Sequence, residues 1–281
     1  MGYVFDFKDA ITYEKWFNGS RNRFAVELES RLIMEMLNPI PGRRLLDVGC
    51  GTAARWFPWL EKGLDLTGLD PSPYMLDMAG EKIRHRGEFY RGFGEDLPFE
   101  DNAFHYVTLI TSLEYVDDPE KVLREAARVA KDKIFIGILN RHAAKCLQRR
   151  IKGMFVETVC NRARFFSIWE IRTLVRKILG DIPLLWKTVG QFPPPLEKIA
   201  GRIEASPLVK NVPFGSFAGI VVRPDPRYRT RPMALRYSAK QTVAAGGDAR
   251  VGCANSPVER RHDGSTAVRA VTGKKSRMSS V

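Results

Sequence analysis

The chain has 281 residues, of which 44% are hydrophobic and 27% charged, a composition typical of a globular protein with an ordinary core. Its cysteines, Cys50, Cys146, Cys160 and Cys253, form no C-x-x-C pair, which argues against a disulfide framework and against a zinc site. The N-terminus carries acids where a signal peptide is apolar, and the longest apolar run, 134–139, is too short to span a bilayer. We therefore expect a cytoplasmic protein with no membrane span and no metal.

The formal net charge of +13 would normally indicate a nucleic-acid or anionic-membrane partner. Thirteen Lys and Arg residues but only four acids lie from Arg223 onward, so most of the excess positive charge belongs to the C-terminal stretch. Residues 225–281 are rich in Arg, Ser, Gly and Ala and show no helical or strand period, which predicts a disordered basic tail. The alternative is a basic arm that binds RNA, DNA or anionic lipid. The near-neutral remainder makes a nucleic-acid partner the less favoured interpretation.

Before this tail, apolar strand-like runs alternate with helical patterns. Ser72 and Asp118, each followed by proline, are predicted N-caps. The predicted elements are, in order, a helix at 21–37, a strand at 43–48, a helix at 53–62, a strand at 64–70, a helix at 72–86, strands at 88–92 and 104–110, a helix at 118–131, a strand at 133–139, a helical stretch at 142–180, and late strands at 183–189 and 215–223. This βαβα order predicts an α/β fold with a doubly wound, parallel sheet and helices on both faces.

The stretch "LLDVGCGTAARW", residues 45–56, follows the first strand of that sheet, where doubly wound folds bind ligands. Gly49 and Gly51 allow a sharp turn and a close approach of a ligand to the backbone. "GCGTAA" also fits a dinucleotide fingerprint, with Asp70 placed 21 residues after Gly49, so an NAD-linked oxidoreductase is one interpretation. Asp47 argues against it, because a carboxylate in front of the loop would repel a pyrophosphate. The same carboxylate suits a ligand that carries an ammonium group.

Four motifs in order, "LLDVGCGT", "LTGLDPSPYMLDMA", "GEDLPFEDNAFHYV" and "SLEYVDDPEKVLREAARV", resemble the class I S-adenosylmethionine-dependent methyltransferases. Within that family the chain is similar to the ubiquinone and menaquinone methyltransferases, over about residues 40–140. The resemblance implies a mostly parallel seven-stranded Rossmann-like sheet in a domain at 1–224. It further implies a helical lid at about 1–40, a cofactor half at about 41–140, and a helical insert with the late strands at about 141–224.

The resemblance also implies S-adenosylmethionine as the cofactor and assigns its binding residues. Asp47 would hold the methionyl ammonium, and the two oxygens of Asp70 would accept the ribose hydroxyls. The remaining assignments are backbone of Gly49, Cys50 and Gly51 along the methionine part, Pro71 and Met75 against the adenine, Gly94 and Glu95 at the adenine edge, and the carbonyl of Thr111 on the ammonium.

Two positions depart from the family pattern. Ala53 stands where the family has a third glycine, and we expect it to be tolerated at the start of a helix. Phe93 stands where the family often has an aspartate that accepts the adenine amino group. Either Glu95 substitutes for that aspartate, or adenine is held by shape and stacking.

The family's reaction is an in-line SN2 displacement, in which the protein supplies alignment and a base where the nucleophile carries a proton. The candidate base is Glu114, for which a solvated or helix-start acid is the alternative. His142 is a second candidate, with a cap or surface residue as the alternative. Tyr13 is the third catalytic candidate. Tyr13 and Trp16 precede the first predicted helix and suit the lid over the cofactor that the resemblance implies, with ordinary packing as the alternative.

The aromatic residues Phe155, Phe165, Phe166 and Trp169 either roof an apolar substrate pocket or belong to the core. The leading hypothesis is a methyltransferase with a small-molecule acceptor. Two alternatives remain: a cofactor-binding regulatory protein with little turnover, and a methyltransferase whose nucleic-acid acceptor is recruited by the basic tail.

Overall fold

This computed structural model describes residues 2–20, 22–143, 163–190 and 210–224. Its helices are α1 (Phe7–Asn18), α2 (Arg23–Leu37), α3 (Phe57–Glu61), α4 (Pro73–Ile83), α5 (Pro119–Val129) and α6 (Ile168–Leu179). Its strands are β1 (Arg44–Val48), β2 (Asp65–Asp70), β3 (Glu88–Arg91), β4 (Phe104–Ile110), β5 (Ala130–Leu139), β6 (Leu184–Val189) and β7 (Phe217–Val222). The predicted tail and Phe155 lie outside the described residues.

The strands form one seven-stranded sheet in the order β3-β2-β1-β4-β5-β7-β6. Neighbours from β3 to β5 are parallel, and β7 runs antiparallel to both β5 and β6. This arrangement confirms the predicted doubly wound, mostly parallel sheet. The chain passes from β1 outward to β2 and later returns to the other side of β1 as β4. The connections that follow β1 and β4 therefore separate at the carboxyl ends of the strands, where such sheets bind ligands.

Both faces of the sheet are buried, as predicted from its apolar strands. Successive residues of β1 point to opposite faces, so Leu45 joins one core cluster and Leu46 the other. The Leu46 cluster includes the apolar residues of α5 and α6. The Leu45 cluster includes those of α2, together with Trp56 and Trp59. A helix therefore covers each face of the strand that precedes the glycine loop.

The two predicted N-caps are confirmed. The Ser72 hydroxyl accepts from the Met75 N–H at the start of α4, and Asp118 accepts from Glu120 and Lys121 N–H at the start of α5. Both helices have proline in their first turn, where a missing N–H costs nothing. The described helices include none that is both long and apolar enough to cross a membrane.

Three predicted elements differ from the structure. The helix expected at 53–62 is confined to Phe57–Glu61, because the chain stays in a turn through residue 56. Tyr13 and Trp16 lie inside α1 rather than before the first helix, and a capping box formed by Asp6 and Asp9 begins that helix. In the stretch predicted helical at 142–180, the described helix is α6, with Phe166 in the core and Trp169 half exposed.

Gly68 and Gly80 differ in how much space surrounds them, so alanine substitutions at the two positions test the packing of the core. A Cβ on Gly68 in β2 would lie 2.7 Å from Cys50 Sγ and 2.8 Å from Trp56, whereas a Cβ on Gly80 in α4 meets nothing within 4 Å. Gly68→Ala should destabilise the protein by about 1–3 kcal/mol through overpacking. Gly80→Ala should stabilise it by about 0.5–1 kcal/mol through helix propensity. Urea unfolding followed by circular dichroism measures both, and equal effects would contradict the close packing at Gly68.

Candidate functional site

The loop after β1 is a tight turn that is tied to the neighbouring strand. Gly49 and Cys50 both donate their N–H to the Leu69 carbonyl, at 2.7 and 3.2 Å. Gly49 and Gly51 have φ of 76° and 54°, in the left-handed region that favours glycine. A Cβ on Gly49 would lie 2.5 Å from Cβ of Ser112, the second residue after β4. The loop therefore packs closely against the segment that follows β4.

Ala53 lies in the same turn and not at the start of a helix as expected. Its φ is 51°, and its side chain is fully buried. A left-handed conformation costs an alanine about 1 kcal/mol more than a glycine. Ala53 therefore adopts a backbone conformation that usually requires glycine, and the packing around its buried side chain stabilises that conformation.

Asp70 ends β2 beside this loop, with 8% of its surface exposed. Its Oδ2 accepts from the Gly51 N–H and its Oδ1 from the Ser72 N–H, each at 2.9 Å. Burial raises the pKa of the Asp70 carboxyl to about 6, although both backbone hydrogen bonds lower it. Each oxygen keeps a second lone pair, so the carboxylate can accept two further donors.

Asp47 lies on β1 and is also buried. Its Oδ1 accepts from the Thr108 hydroxyl at 2.7 Å, and its Oδ2 accepts from the Trp56 indole N–H at 2.9 Å. Burial raises the pKa of Asp47, and these two hydrogen bonds partly offset that effect. Asp47 thus anchors Trp56 and β4. Its predicted role of binding an ammonium group would use the lone pairs that these two hydrogen bonds leave free.

A buried ion pair that the sequence analysis missed lies at the end of the loop. Nη2 of Arg55 donates to Glu29 Oε2 of α2 at 2.6 Å, and each side chain is about one-tenth exposed. Tyr13 of α1 lies among Arg55, Glu29 and Asp47; burial raises the pKa of its hydroxyl, and Arg55 opposes that effect. The signal that was available is Glu29 itself, which falls on the apolar face of α2 that includes Leu32.

The N-terminal segment crosses the carboxyl ends of the strands. Near its start, the Tyr3 N–H donates to the Tyr115 carbonyl at 2.8 Å, and the Ser72 hydroxyl donates to the Phe5 carbonyl at 2.6 Å. Further along, Glu14 of α1 contacts two parts of the site. Its carboxylate accepts from the Thr52 hydroxyl at 2.6 Å and from Lys82 Nζ of α4 at 2.8 and 2.9 Å. α1 is therefore tied to the glycine loop and to α4, and its role as a lid over a ligand stays a prediction.

Of the four residues assigned to adenine, Pro71 lies just before α4, Met75 lies in α4, and Gly94 and Glu95 follow β3. Met75 is buried, with its sulfur 3.9 Å from the position of a Cβ on Gly51. Gly94 packs against the end of β1, since a Cβ there would lie 3.1 Å from Val48. Pro71 and Glu95 are half-buried. Met75 and Pro71 offer apolar surface, and Gly94 allows a ligand to approach the backbone closely.

Backbone strain and buried polar atoms mark the end of β4. Thr111 has φ of 50°, which is unusual for a β-branched residue, and its N–H donates to the Gly137 carbonyl at 2.8 Å. The Ser112 hydroxyl is buried without a hydrogen-bond partner in the described part of the chain. Such strain and such unpaired groups cluster at functional sites.

Of the candidate bases, Glu114 lies in the short 3-10 helix Leu113–Tyr115 and is 1% exposed. Its Oε1 accepts from the Leu139 N–H at 2.7 Å, Oε2 is buried without a partner among described residues, and burial raises its pKa to about 7. His142 is exposed, with its ring 5.5 Å from that of Trp169. The structure therefore brings Tyr13 to the glycine loop and Glu114 to the end of β5, and places His142 at the surface.

These residues fit a ligand with three chemically different parts. The Asp70 carboxylate, with its free lone pairs, can accept hydrogen bonds from hydroxyl groups, and Met75 can pack against an apolar ring. The opposite charges of Asp47 and Arg55, which lie near the same loop, can bind a group that carries both a positive and a negative charge. Asp47, the acid in front of the loop, does not suit a pyrophosphate, because like charges repel. Within the described ranges, no three His, Cys, Asp or Glu side chains come together as a metal site would require.

Comparison with known proteins shows which family this chain resembles. A family model described as a methyltransferase domain matches residues 46–136. A demethylmenaquinone methyltransferase of Renibacterium salmoninarum is 40% identical over 101 residues, which span 36% of this chain and 42%, less than half, of that relative. The demethylmenaquinone methyltransferase of Bacillus subtilis is 31% identical over 198 residues, covering 66% of this chain and 79% of the relative.

A solved structure agrees with the fold. The S-adenosylmethionine-dependent methyltransferase of Thermotoga maritima, described as a possible histamine N-methyltransferase, superposes with a TM-score of 0.61 at 24% identity. The match covers 76% of this chain and 95% of that chain. With its mostly parallel seven-stranded sheet, its glycine loop after β1 and the acid that ends β2, the chain belongs to the class I S-adenosylmethionine-dependent methyltransferases.

Proposed function

We propose that this protein transfers a methyl group from S-adenosylmethionine to a small-molecule acceptor by in-line SN2 displacement. The observation that carries this proposal is the buried carboxylate of Asp70 at the carboxyl end of β2, held between the N–H groups of Gly51 and Ser72. Such a carboxylate can accept a pair of neighbouring hydroxyls while the loop packs against the rest of the ligand. The names of the relatives, which denote demethylmenaquinone as the acceptor, support a small molecule.

Each part of the cofactor would meet a different group of this chain. Asp70 would accept the ribose hydroxyls through the lone pairs that Gly51 and Ser72 leave free. Pro71 and Met75 would pack on the adenine, with Gly94 and Glu95 at its edge. The methionine part would lie along the backbone of Gly49, Cys50 and Gly51, with its ammonium near Asp47 and the Thr111 carbonyl. The chemistry that bound S-adenosylmethionine supplies is an electrophilic methyl group on a sulfonium.

The protein itself contributes alignment and a place for a proton. α1 lies over the loop and would exclude water from the reacting groups. Glu114 would hold the acceptor's proton at Oε2, because its Oε1 already accepts from Leu139. The Tyr13 hydroxyl lies on the lid side of the loop and would orient the acceptor or the cofactor. His142 would act only on an acceptor that reaches the surface beside Trp169.

A cofactor-binding protein with little turnover is the second candidate. It is favoured by the position of Glu114, which is buried against β5 and bonded to its backbone. Incubation of the protein with S-adenosylmethionine and demethylmenaquinone separates the two, with S-adenosylhomocysteine measured by mass spectrometry. Formation of S-adenosylhomocysteine only when demethylmenaquinone is present supports turnover on a small molecule.

Titration calorimetry tests the cofactor site. Wild type should bind S-adenosylmethionine and S-adenosylhomocysteine and should not bind NAD. Asp70→Asn should lose at least about tenfold in affinity for both, because hydrogen bonds to a charged group are worth about 1.5–3 kcal/mol. Asp65→Asn, at the exposed start of the same strand, is the matched control and should bind as wild type does. Equal binding by Asp70→Asn and wild type would overturn the assignment.

The lid should control how fast the cofactor leaves. Lys82→Met removes the cation that holds Glu14 of α1 to α4, an interaction worth about 1 kcal/mol for a partly buried pair. Dissociation of S-adenosylhomocysteine in stopped-flow displacement should therefore be about fivefold faster. Lys15→Met, on the exposed face of α1, is the control. An unchanged rate in Lys82→Met would show that α1 does not cover the ligand.

Glu114 should make stability depend on pH in a defined direction. Because burial raises its folded-state pKa from 4.5 to about 7, the folded state binds the proton more tightly than the unfolded state does. Wild type should therefore lose up to about 3 kcal/mol relative to Glu114→Gln as pH rises from 4.5 to 7, and no more above it. Urea unfolding of both proteins across this range measures the difference. A constant difference would mean that Glu114 is not buried as described.

A further inference from the structure

Arg55 is held under both N-terminal helices. Its Nη2 pairs with Glu29 of α2, and its guanidinium lies 5.4 Å from the centre of the Phe17 ring of α1. Burial acts to lower the pKa of the guanidinium, but Glu29 and Tyr13 outweigh it and raise the pKa. Arg55 is therefore a full positive charge buried at the end of the glycine loop.

Two of the three guanidinium nitrogens of this arginine lack partners. Nε and Nη1 are both buried, and no described residue accepts a hydrogen bond from either. A buried donor without an acceptor is unfavourable, and more so when it is charged. Structural anchoring of α2 uses only Nη2, so it leaves the other two nitrogens unexplained.

The charges around the loop form a specific pattern. Asp47 and Arg55 lie close enough for each charge to shift the pKa of the other, yet they do not pair; Asp47 bonds to Trp56 and Thr108, and Arg55 bonds to Glu29. An acid and a base that lie near the same loop and are not paired with each other match a group that carries an ammonium and a carboxylate on one carbon. Arg55 supplies the donors that a carboxylate takes best.

We propose that Arg55 is the receptor for the carboxylate at the amino-acid end of the cofactor, beside the ammonium position at Asp47. The inference rests on the proposed function, since it assumes a ligand with a nucleoside and an amino-acid end. The carboxylate would satisfy the two unpaired nitrogens of Arg55. Because the partners of Arg55 lie on α1 and α2, the carboxylate would also hold the lid helices in place.

The experiment compares two ligands that differ in the amino-acid end. S-adenosylhomocysteine has it, whereas 5′-methylthioadenosine lacks both its ammonium and its carboxylate. Titration calorimetry on Arg55→Met should show S-adenosylhomocysteine affinity lowered about tenfold to a hundredfold, as for charged hydrogen bonds, and 5′-methylthioadenosine affinity unchanged within about twofold. Arg55→Lys should recover part of the loss.

Two further variants keep the test clear of folding defects. Arg55→Met alone leaves Glu29 buried without its cation, so the double variant Arg55→Met with Glu29→Leu removes both charges and should keep a melting temperature close to that of wild type. It should show the same selective loss. Arg86→Met is the matched control, since Arg86 also lies over a phenylalanine ring, that of Phe57, but on the exposed surface.

Amide hydrogen exchange provides a second readout. S-adenosylhomocysteine should slow exchange in residues 7–18 of α1 more than 5′-methylthioadenosine does, and Arg55→Met should remove that difference. Equal loss of both ligands, or loss of neither, in the Arg55 variants would overturn the role of Arg55 and leave the proposed function standing. Failure of wild type to bind either ligand would overturn the proposed function, and this inference with it.

Discussion

Two buried carboxylates at the carboxyl ends of adjacent parallel strands determine the layout of this site. An acid in a low-dielectric interior needs hydrogen-bond donors around it, and more so when a second acid is nearby. Asp47 takes its donors from Thr108 of β4 and from Trp56 before α3. Asp70 takes its donors from the glycine loop and from the start of α4. Burying two acids therefore fixes the positions of four chain segments at once.

The segment that precedes the sheet completes the site from above. α1 contributes Glu14 to Thr52 and Lys82, and α2 contributes Glu29 to Arg55. All of these contacts are polar and lie at the loop or next to it, so the N-terminal helices are held by residues of the proposed site. In the proposed function, α1 would respond to what is bound, because a few hydrogen bonds hold it to the loop and to α4.

The sequence predicted the sheet well because its signals are local. The predicted strand at 104–110 coincides with β4, and Ser72 and Asp118 cap the helices as expected. The distance of Asp70 from Gly49 along the chain, together with the family resemblance, predicted it as a site residue. The helix start at Ala53 was wrong because the residue type gave no sign of the left-handed turn that the buried loop imposes.

Arg55 was missed for a different reason. An arginine in a turn usually reaches solvent, and its acid partner Glu29 is 26 residues earlier, on a helix with its own apolar pattern. Glu114 was predicted as a base, with a solvated or helix-start acid as the alternative, but the folded chain buries it beside the end of β5, where it accepts a hydrogen bond from the Leu139 N–H. The spacing of residues along the chain indicates neither the Arg55–Glu29 pair nor the Glu114–Leu139 hydrogen bond.

Hydrophobic periodicity, capping residues and the spacing of glycines and acids were thus sufficient for the order of elements, the parallel part of the sheet and the glycine loop after β1. The tertiary structure alone decided which donors each buried acid receives, which buried cation has nitrogens without a partner among the described residues, and which helices contact the loop. The physical reason is that periodicity reflects the local burial of each element. The partners of a buried charge, in contrast, come from segments far apart in the chain, and burial makes the choice of partner costly to change.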